Sequence, residues 1–338
     1  MNRSVAFKRL NSSMFIPAWC LLFSLSLVFF GRSGYAQEMY ELTDDGQWDK
    51  TEVLDPATPE GKLQLARRHL AEGEAGRARK LLKQWIDQYP NHPQMVEAWL
   101  LHGDAKVAGR DYYNSLYDYE TVIREYPSSP LFHTALEREY EIAQMFAKGM
   151  KRSFVGMRVL PAYGEAEEIF IRIQERAPGS EIGEMASMAL ADFYFDHGDM
   201  GSASEAYDLF MINYPRSVDC EKAMLRLIQA NLSRYQGPMY DPTGLIEAKE
   251  RLRVYQEQYP AAAADIDAES LRDRINDSLA ETDLTSAKWY DRRNVRVSAI
   301  YLYRRVVEDY PHSPSASEAI DRLEALGEAV VSPEEVGG

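Results

Sequence analysis

The sequence predicts an all-α fold: a right-handed superhelical solenoid of about six helical hairpins, closed by a C-terminal capping helix. Three observations predict it. The dipeptide Tyr-Pro recurs at Tyr89-Pro90, Tyr126-Pro127, Tyr214-Pro215, Tyr259-Pro260 and Tyr310-Pro311, with Ala177-Pro178 in an equivalent place. The prolines follow one another at 37, 51, 37, 45 and 51 residues. An amphipathic segment precedes each, and a period of this size marks stacked units that bury their faces against neighbours.

The element before each proline is a helix by its spacing. Ala78, Leu81, Leu82, Trp85, Ile86 and Tyr89 fall at i, i+3 and i+4, as do Ala166, Ile169, Phe170 and Ile173. Ala203, Ala206, Tyr207, Phe210 and Tyr214 repeat the pattern, and so do Leu302, Tyr303, Val306, Val307 and Tyr310. Proline cannot continue the helix and stops it near its own predecessor. A second helix lies upstream across a turn, and Gly73, Gly109 and Gly198 are placed to supply left-handed C-caps. Helix, glycine turn, helix and proline at this length is the tetratricopeptide pattern. With the proline at position 32 of the repeat, small residues fall at 8 (Gly103, Ala191, Ala287) and 20 (Ala203, Ala299), and large ones at 24 (Tyr119, Tyr207, Tyr303) and 27 (Val122, Phe210).

The hairpins are expected at 60–90, 94–127, 131–178, 181–215, 218–260 and 264–311, with a cap at 314–329. Residues 60–180 form N-terminal repeats and 181–330 a second repeat region. Residues 1–36 read as a secretory signal, with Arg3, Lys8 and Arg9 ahead of an apolar run and Gly34 and Ala36 at −3 and −1 of a cleavage site. Cys20 is taken as part of that run, since Trp19 is too large for the residue before a lipidated cysteine. Residues 37–59 read as a flexible linker and 331–338 as a disordered tail.

Composition narrows the function classes. The formal net charge is −15, and removal of residues 1–36 takes away four basic groups and no acid, leaving 34 basic against 53 acidic residues, a net of −19. Such a chain repels phosphate backbones, so no nucleic-acid partner is expected. Two cysteines and six scattered histidines supply neither a disulfide framework nor a metal cage. No HExxH, GxSxG or glycine-rich phosphate loop occurs, so neither enzyme chemistry nor a cofactor is expected. Asp196-His197-Gly198-Asp199 reads as a helix C-terminus and glycine turn rather than a metal site.

From about residue 181 the chain resembles the BamD family, the tetratricopeptide lipoproteins of outer-membrane β-barrel assembly. The stretches that carry this are FYFDHGDMGSASEAYDLFMINYP, SRYQGPMYDPTGLIEAKERLRVYQEQYP and AKWYDRRNVRVSAIYLYRRVVEDYPHSPSASEAIDRL. The resemblance implies a periplasmic scaffold, peripheral to the inner face of the outer membrane, that docks a β-barrel assembly subunit and receives unfolded barrel segments. It also implies an arginine for a partner salt bridge near the last Tyr-Pro. Leu302 takes that place, with Arg304 and Arg305 beside it. The rival is a periplasmic tetratricopeptide adaptor of the Tol-Pal or cell-wall coordination type.

Two surfaces are candidates for recognition. Positions 5, 9 and 12 of first helices are expected to line a concave groove: Leu100, Asp104 and Val107 in the second hairpin, and Met188, Asp192 and Phe195 in the fourth. Lysine at Asp104 and Asp192 is expected to weaken peptide capture without unfolding the array. The other candidate is the insert KGMKRSFVGMRVLPAYG at 148–164, with Lys148, Lys151, Arg152, Phe154 and Arg158. Its cations, free of acids, suit anionic headgroups or an acidic partner.

Overall fold

The structure, a computed structural model, describes residues 39–42, 48–51, 54–154 and 157–328, with side chains for 54–150 and 162–328. The expected signal segment, Cys20 and the C-terminal tail lie outside the described residues. The chain divides into two compact units, residues 1–135 and 136–338. The first carries a two-stranded antiparallel pair, β1 (Met39–Leu42) and β2 (Trp48–Thr51), then α1 (Pro59–Ala71), α2 (Ala75–Gln88), α3 (Met95–Ala108) and α4 (Tyr112–Glu125). All but the first turn of α5 (Phe132–Ala147) belongs to the second. There follow β3 (Lys151–Phe154), β4 (Met157–Pro161), α6 (Tyr163–Arg176), α7 (Glu181–Asp196), α8 (Met200–Asn213), α9 (Cys220–Ser233) and α10 (Thr243–Gln258). Then come α11 (Pro260–Asp265), α12 (Ala268–Arg292), α13 (Arg296–Asp309) and α14 (Pro314–Ala325).

The fold is all-α, built of helical hairpins, and its punctuation has a single geometry. Tyr89, Tyr126, Tyr214, Tyr259 and Tyr310 are each the C-cap of a second helix, as is Ala177. All six leave the helix at φ between −126° and −135°. Each still donates its N–H to the carbonyl four residues back, at 2.8–3.1 Å. Three helices, α1, α7 and α14, start on hydroxyl caps: Thr58, Ser180 and Ser313 accept from the N–H three residues on, with Pro59 and Pro314 pre-set for the first turn.

Packing follows the repeat register in every hairpin. Position 20 is Ala78, Ser115, Ala166, Ala203, Ala248 and Ala299, all wholly buried. Positions 24 and 27 fill the gaps above and below, with Leu82, Tyr119, Phe170, Tyr207, Leu252 and Tyr303 at 24 and Trp85, Val122, Ile173, Phe210, Tyr255 and Val306 at 27. Burial of each such side chain stabilises by about 1.5–3 kcal/mol. Gly103 shows how tight the fit is: a Cβ there lies 2.5 Å from the Tyr119 ring. Gly103→Ala is therefore expected to cost about 1–2 kcal/mol, overpacking outweighing the gain in helix propensity. An unchanged urea midpoint would contradict this.

Three differences from the sequence expectations have physical reasons. Gly109 is not the left-handed residue of its turn: it has φ −81°, and Arg110 takes φ 62°. The other turns put Gly73, Gly198 and Asn294 in the left-handed region. The expected linker contains the β1–β2 pair, Met39 to Leu42 opposite Thr51 to Trp48, which four-residue strands form without a helical or apolar period. The division between the units falls inside α5, not at residue 180. Across that expected boundary α6 is tied to α7, with the Tyr194 hydroxyl donating to Glu167 at 2.7 Å and the Tyr163 and Phe193 rings 6.3 Å apart.

Candidate functional site

The six groove residues sit on α3 and α7, in different compact units. Leu100 and Met188 are buried, Met188 in the cluster with Ala191, Ala203, Tyr207 and Phe210. They are core, because a first helix is flanked by its own partner and by the preceding hairpin, and position 5 is covered. Val107 is half-buried. Asp104 and Asp192 are half-buried too, and each carries a structural bond. Tyr119 donates its hydroxyl to Asp104 Oδ1 at 2.8 Å, and Tyr207 to Asp192 Oδ1 at 2.6 Å. Tyr303 donates instead to Asp291 Oδ2 at 3.2 Å, an acid about one turn further along its first helix, at position 12. A tyrosine at position 24 thus closes each of these hairpins onto an acid of its first helix. The expectation that lysine at both aspartates leaves the array intact is overturned, since it would strand two buried hydroxyls.

What remains open is a strip across α7 and α9. Lys222 Nζ donates to Asp192 Oδ2 at 2.7 Å. The Arg226 guanidinium lies over the half-buried Phe195 ring, 4.6 Å from its centroid. Acid, aromatic ring and two cations alternate, offering a polypeptide both an apolar face and charge partners. Lys222 and Arg226 were missed in the sequence; their i, i+4 spacing on the next first helix is the signal that pairs them with Asp192 and Phe195.

Near the C-terminal end, α12, α13 and α14 are tied by ion pairs. Arg305 Nε donates to Asp283 Oδ2 at 3.0 Å, and its second nitrogen bonds the other carboxylate oxygen. Arg322 pairs with Asp291 and holds that carboxyl below its ordinary range. Arg304 reaches Glu328 at 2.6 Å. The two arginines beside Leu302 are thus engaged within the chain. The outer face of α13 exposes Val297 (83%) and Tyr301 (64%), one turn apart.

The basic insert is a β-hairpin interrupting α5 and α6, with Arg152 opposite Leu160 and Phe154 opposite Met157. Lys148 is exposed at its start. Lys151, Arg152, Phe154 and Arg158 lie on β3 and β4, and their side chains lie outside the described residues. His197 is the C-cap of α7, its Nδ1 2.7 Å from the Phe193 carbonyl and its ring against Tyr163 and Phe193. Asp199 caps α8 by accepting from Ser202 N–H at 3.1 Å. Among the described residues one group, His69, Glu72 and Glu74, brings three ligand-type atoms within 4.8 Å of one another. Glu74 is already taken by Arg77 and His69, and Arg77 above all holds its carboxyl low.

The tyrosines set an alkaline limit. Burial, reinforced by Asp192, pushes the Tyr207 hydroxyl well above the ordinary tyrosine value of 10.0, and burial with Glu167 does the same to Tyr194. A raised pKa in the folded state means the unfolded chain loses these protons first. Stability is therefore full below pH 10 and falls as pH rises above it. Thermal midpoints from pH 8 to 12 are expected to drop above pH 10, less steeply in Tyr207→Phe. Parallel profiles for the two chains would refute the assignment.

No helix among the described residues is long and apolar enough to cross a membrane. Among solved structures, the C-terminal part of a TPR repeat-containing protein from Cytophaga hutchinsonii is similar at 13% identity, covering 78% of this chain and 87% of that one, with a TM-score of 0.38. An uncharacterized protein of Treponema pallidum is 36% identical over 89 residues, 25% of this chain and 17% of the relative. The outer membrane protein assembly factors BamD of Caulobacter vibrioides and Rickettsia prowazekii are each 22% identical over 161 residues, 48% of this chain. The match covers 53% and 64% of those two proteins, so the chain spans less than two thirds of the length of these curated relatives. The family model described as outer membrane lipoprotein matches residues 161–331, half of the chain and nearly all of the second unit's helices. The hairpins closed by Tyr207–Asp192 and Tyr303–Asp291 and the ion-paired α12–α14 end lie within that match, and the chain belongs to this family of outer-membrane lipoproteins.

Proposed function

We propose that the protein is a non-enzymatic, exported scaffold of outer-membrane β-barrel assembly, facing the periplasm at the inner side of the outer membrane. Its repeats bind a β-barrel assembly subunit and segments of unfolded barrel substrates. The observation that carries this is the family match over residues 161–331, on the unit that bears the Asp192–Phe195–Lys222–Arg226 strip. Helical repeats suit the task because each hairpin adds the same framework while its exposed positions vary.

The test is cross-linking in intact cells with a tagged full chain, then identification of the captured proteins by mass spectrometry. The expected outcome is the β-barrel assembly subunit, with recovery cut by Phe195→Ala and Arg226→Glu while circular dichroism stays native. Capture of peptidoglycan-associated proteins instead would replace this reading with the Tol-Pal type of adaptor.

A further inference from the structure

The first unit holds a cleft of about 760 Å³ between α2, α3 and α4, outside the residues that the family model matches. Its lining runs against the acidity of the chain. Arg79, Lys80, Lys83 and Lys106 face it, against the carboxylates of Asp87 and Asp118. Two of the cations are committed. Lys106 lies 2.8 Å from buried Asp118 and donates to the Asn114 carbonyl at 3.0 Å, so it forms part of the wall. Arg79 is 3.8 Å from Asp111. Lys80 and Lys83 are exposed on α2 and pair with no acid among the described residues.

The spacing of those two lysines narrows the ligand. On a helix, residues three apart stand about 5–6 Å from each other. Same-face side chains of an extended chain recur every two residues, about 6.6–6.8 Å apart. Two acids separated by one residue on an extended chain thus match Lys80 and Lys83, with slack taken up by the lysine stems. Half-buried Ile86 and Trp99 in the same lining give an adjacent aliphatic side chain somewhere to rest. A single small anion would leave most of such a volume and its apolar wall unused.

We infer that this cleft binds an extended acidic segment of a partner polypeptide, with Glu-x-Glu spacing and a flanking aliphatic residue. The site is separate from the α7–α9 strip, so its test stands apart from the assembly role. A fluorescently labelled peptide with the core Leu-Glu-Ser-Glu-Leu is titrated with the full chain and followed by anisotropy. Binding is expected, weakened about tenfold or more by Lys80→Ala/Lys83→Ala and kept within about threefold by Lys80→Arg/Lys83→Arg. The peptide with glutamine for both glutamates is expected to bind as weakly as the alanine variant permits. Both substituted positions are exposed, so circular dichroism should be unchanged. The inference is overturned by absent binding to the unaltered chain, by equal binding of the glutamine peptide, by indifference to the double alanine variant, or by displacement with an equal concentration of inorganic phosphate.

Discussion

Trp85→Ala is expected to cost about 4 kcal/mol, the middle of the range for deleting a buried aromatic side chain. Trp85 is 1% exposed and sits at position 27 of the first hairpin, in the cluster with Leu63, Ala66, Ala78, Leu82 and Met95. Its indole N–H donates to the Pro59 carbonyl at 2.8 Å, fixing the start of α1. Tyr89 and His92 pack on it with ring centroids 5.3 and 5.1 Å away. Removing the ring opens a cavity between α1, α2 and α3 and frees the chain entering α1. The expected measurement is loss of amide protection across residues 59–88 before the rest of the chain, with a lowered urea midpoint. Trp85→Phe should recover most of the packing but not the bond to Pro59. A cost below about 1.5 kcal/mol would mean that the hairpin's core lies elsewhere.

Asp192→Lys is expected to cost about 3 kcal/mol. It removes the acceptor of the wholly buried Tyr207 hydroxyl and sets a cation against Lys222 and close to Arg226. Asp192→Asn should cost about 1 kcal/mol, because an amide oxygen still accepts from the tyrosine and only the charge on Lys222 goes unmatched. The Tyr207→Phe background separates the two contributions: there the lysine variant should lose most of its effect. If Asp192→Lys melts like the unaltered chain, the tyrosine–carboxylate bond does not close the hairpin.

That pair of aspartates marks where the sequence stopped being informative. The repeat register was legible because sterics enforce it: no residue larger than Ala or Ser fits at position 20, and only large side chains fill positions 24 and 27. Helix ends were legible because proline and hydroxyl caps act locally. The functional faces were harder. The repeat register puts position 5 on the open face, yet Leu100 and Met188 are buried, since which flank of a first helix meets its neighbour depends on how successive hairpins lean. Positions 9 and 12 did reach the surface in the fourth hairpin, but the tyrosine bond across fifteen residues has no sequence signature apart from its recurrence. The left-handed place at Arg110 was missed because glycine stands next to it and only one residue of the turn takes a positive φ.

The large side chain at position 24 has a consequence for the connecting turns. Because the spacing of two helices within a hairpin is fixed by that packed side chain midway along them, with a hydroxyl bond in some hairpins and without one in others, the chain that joins their ends is released from that duty. The junction between α5 and α6 displays this freedom: it carries a whole β-hairpin where the junction between α7 and α8 makes do with His197, Gly198 and Asp199, and the Tyr140 and Phe170 rings still meet 5.9 Å apart. Lengthening a connection of this kind is thermodynamically mild, about 0.6 kcal/mol for each doubling. The turns are therefore the ports through which such an array acquires new contacts, and through which a reporter or epitope can be threaded, while the spine of helices keeps its gauge.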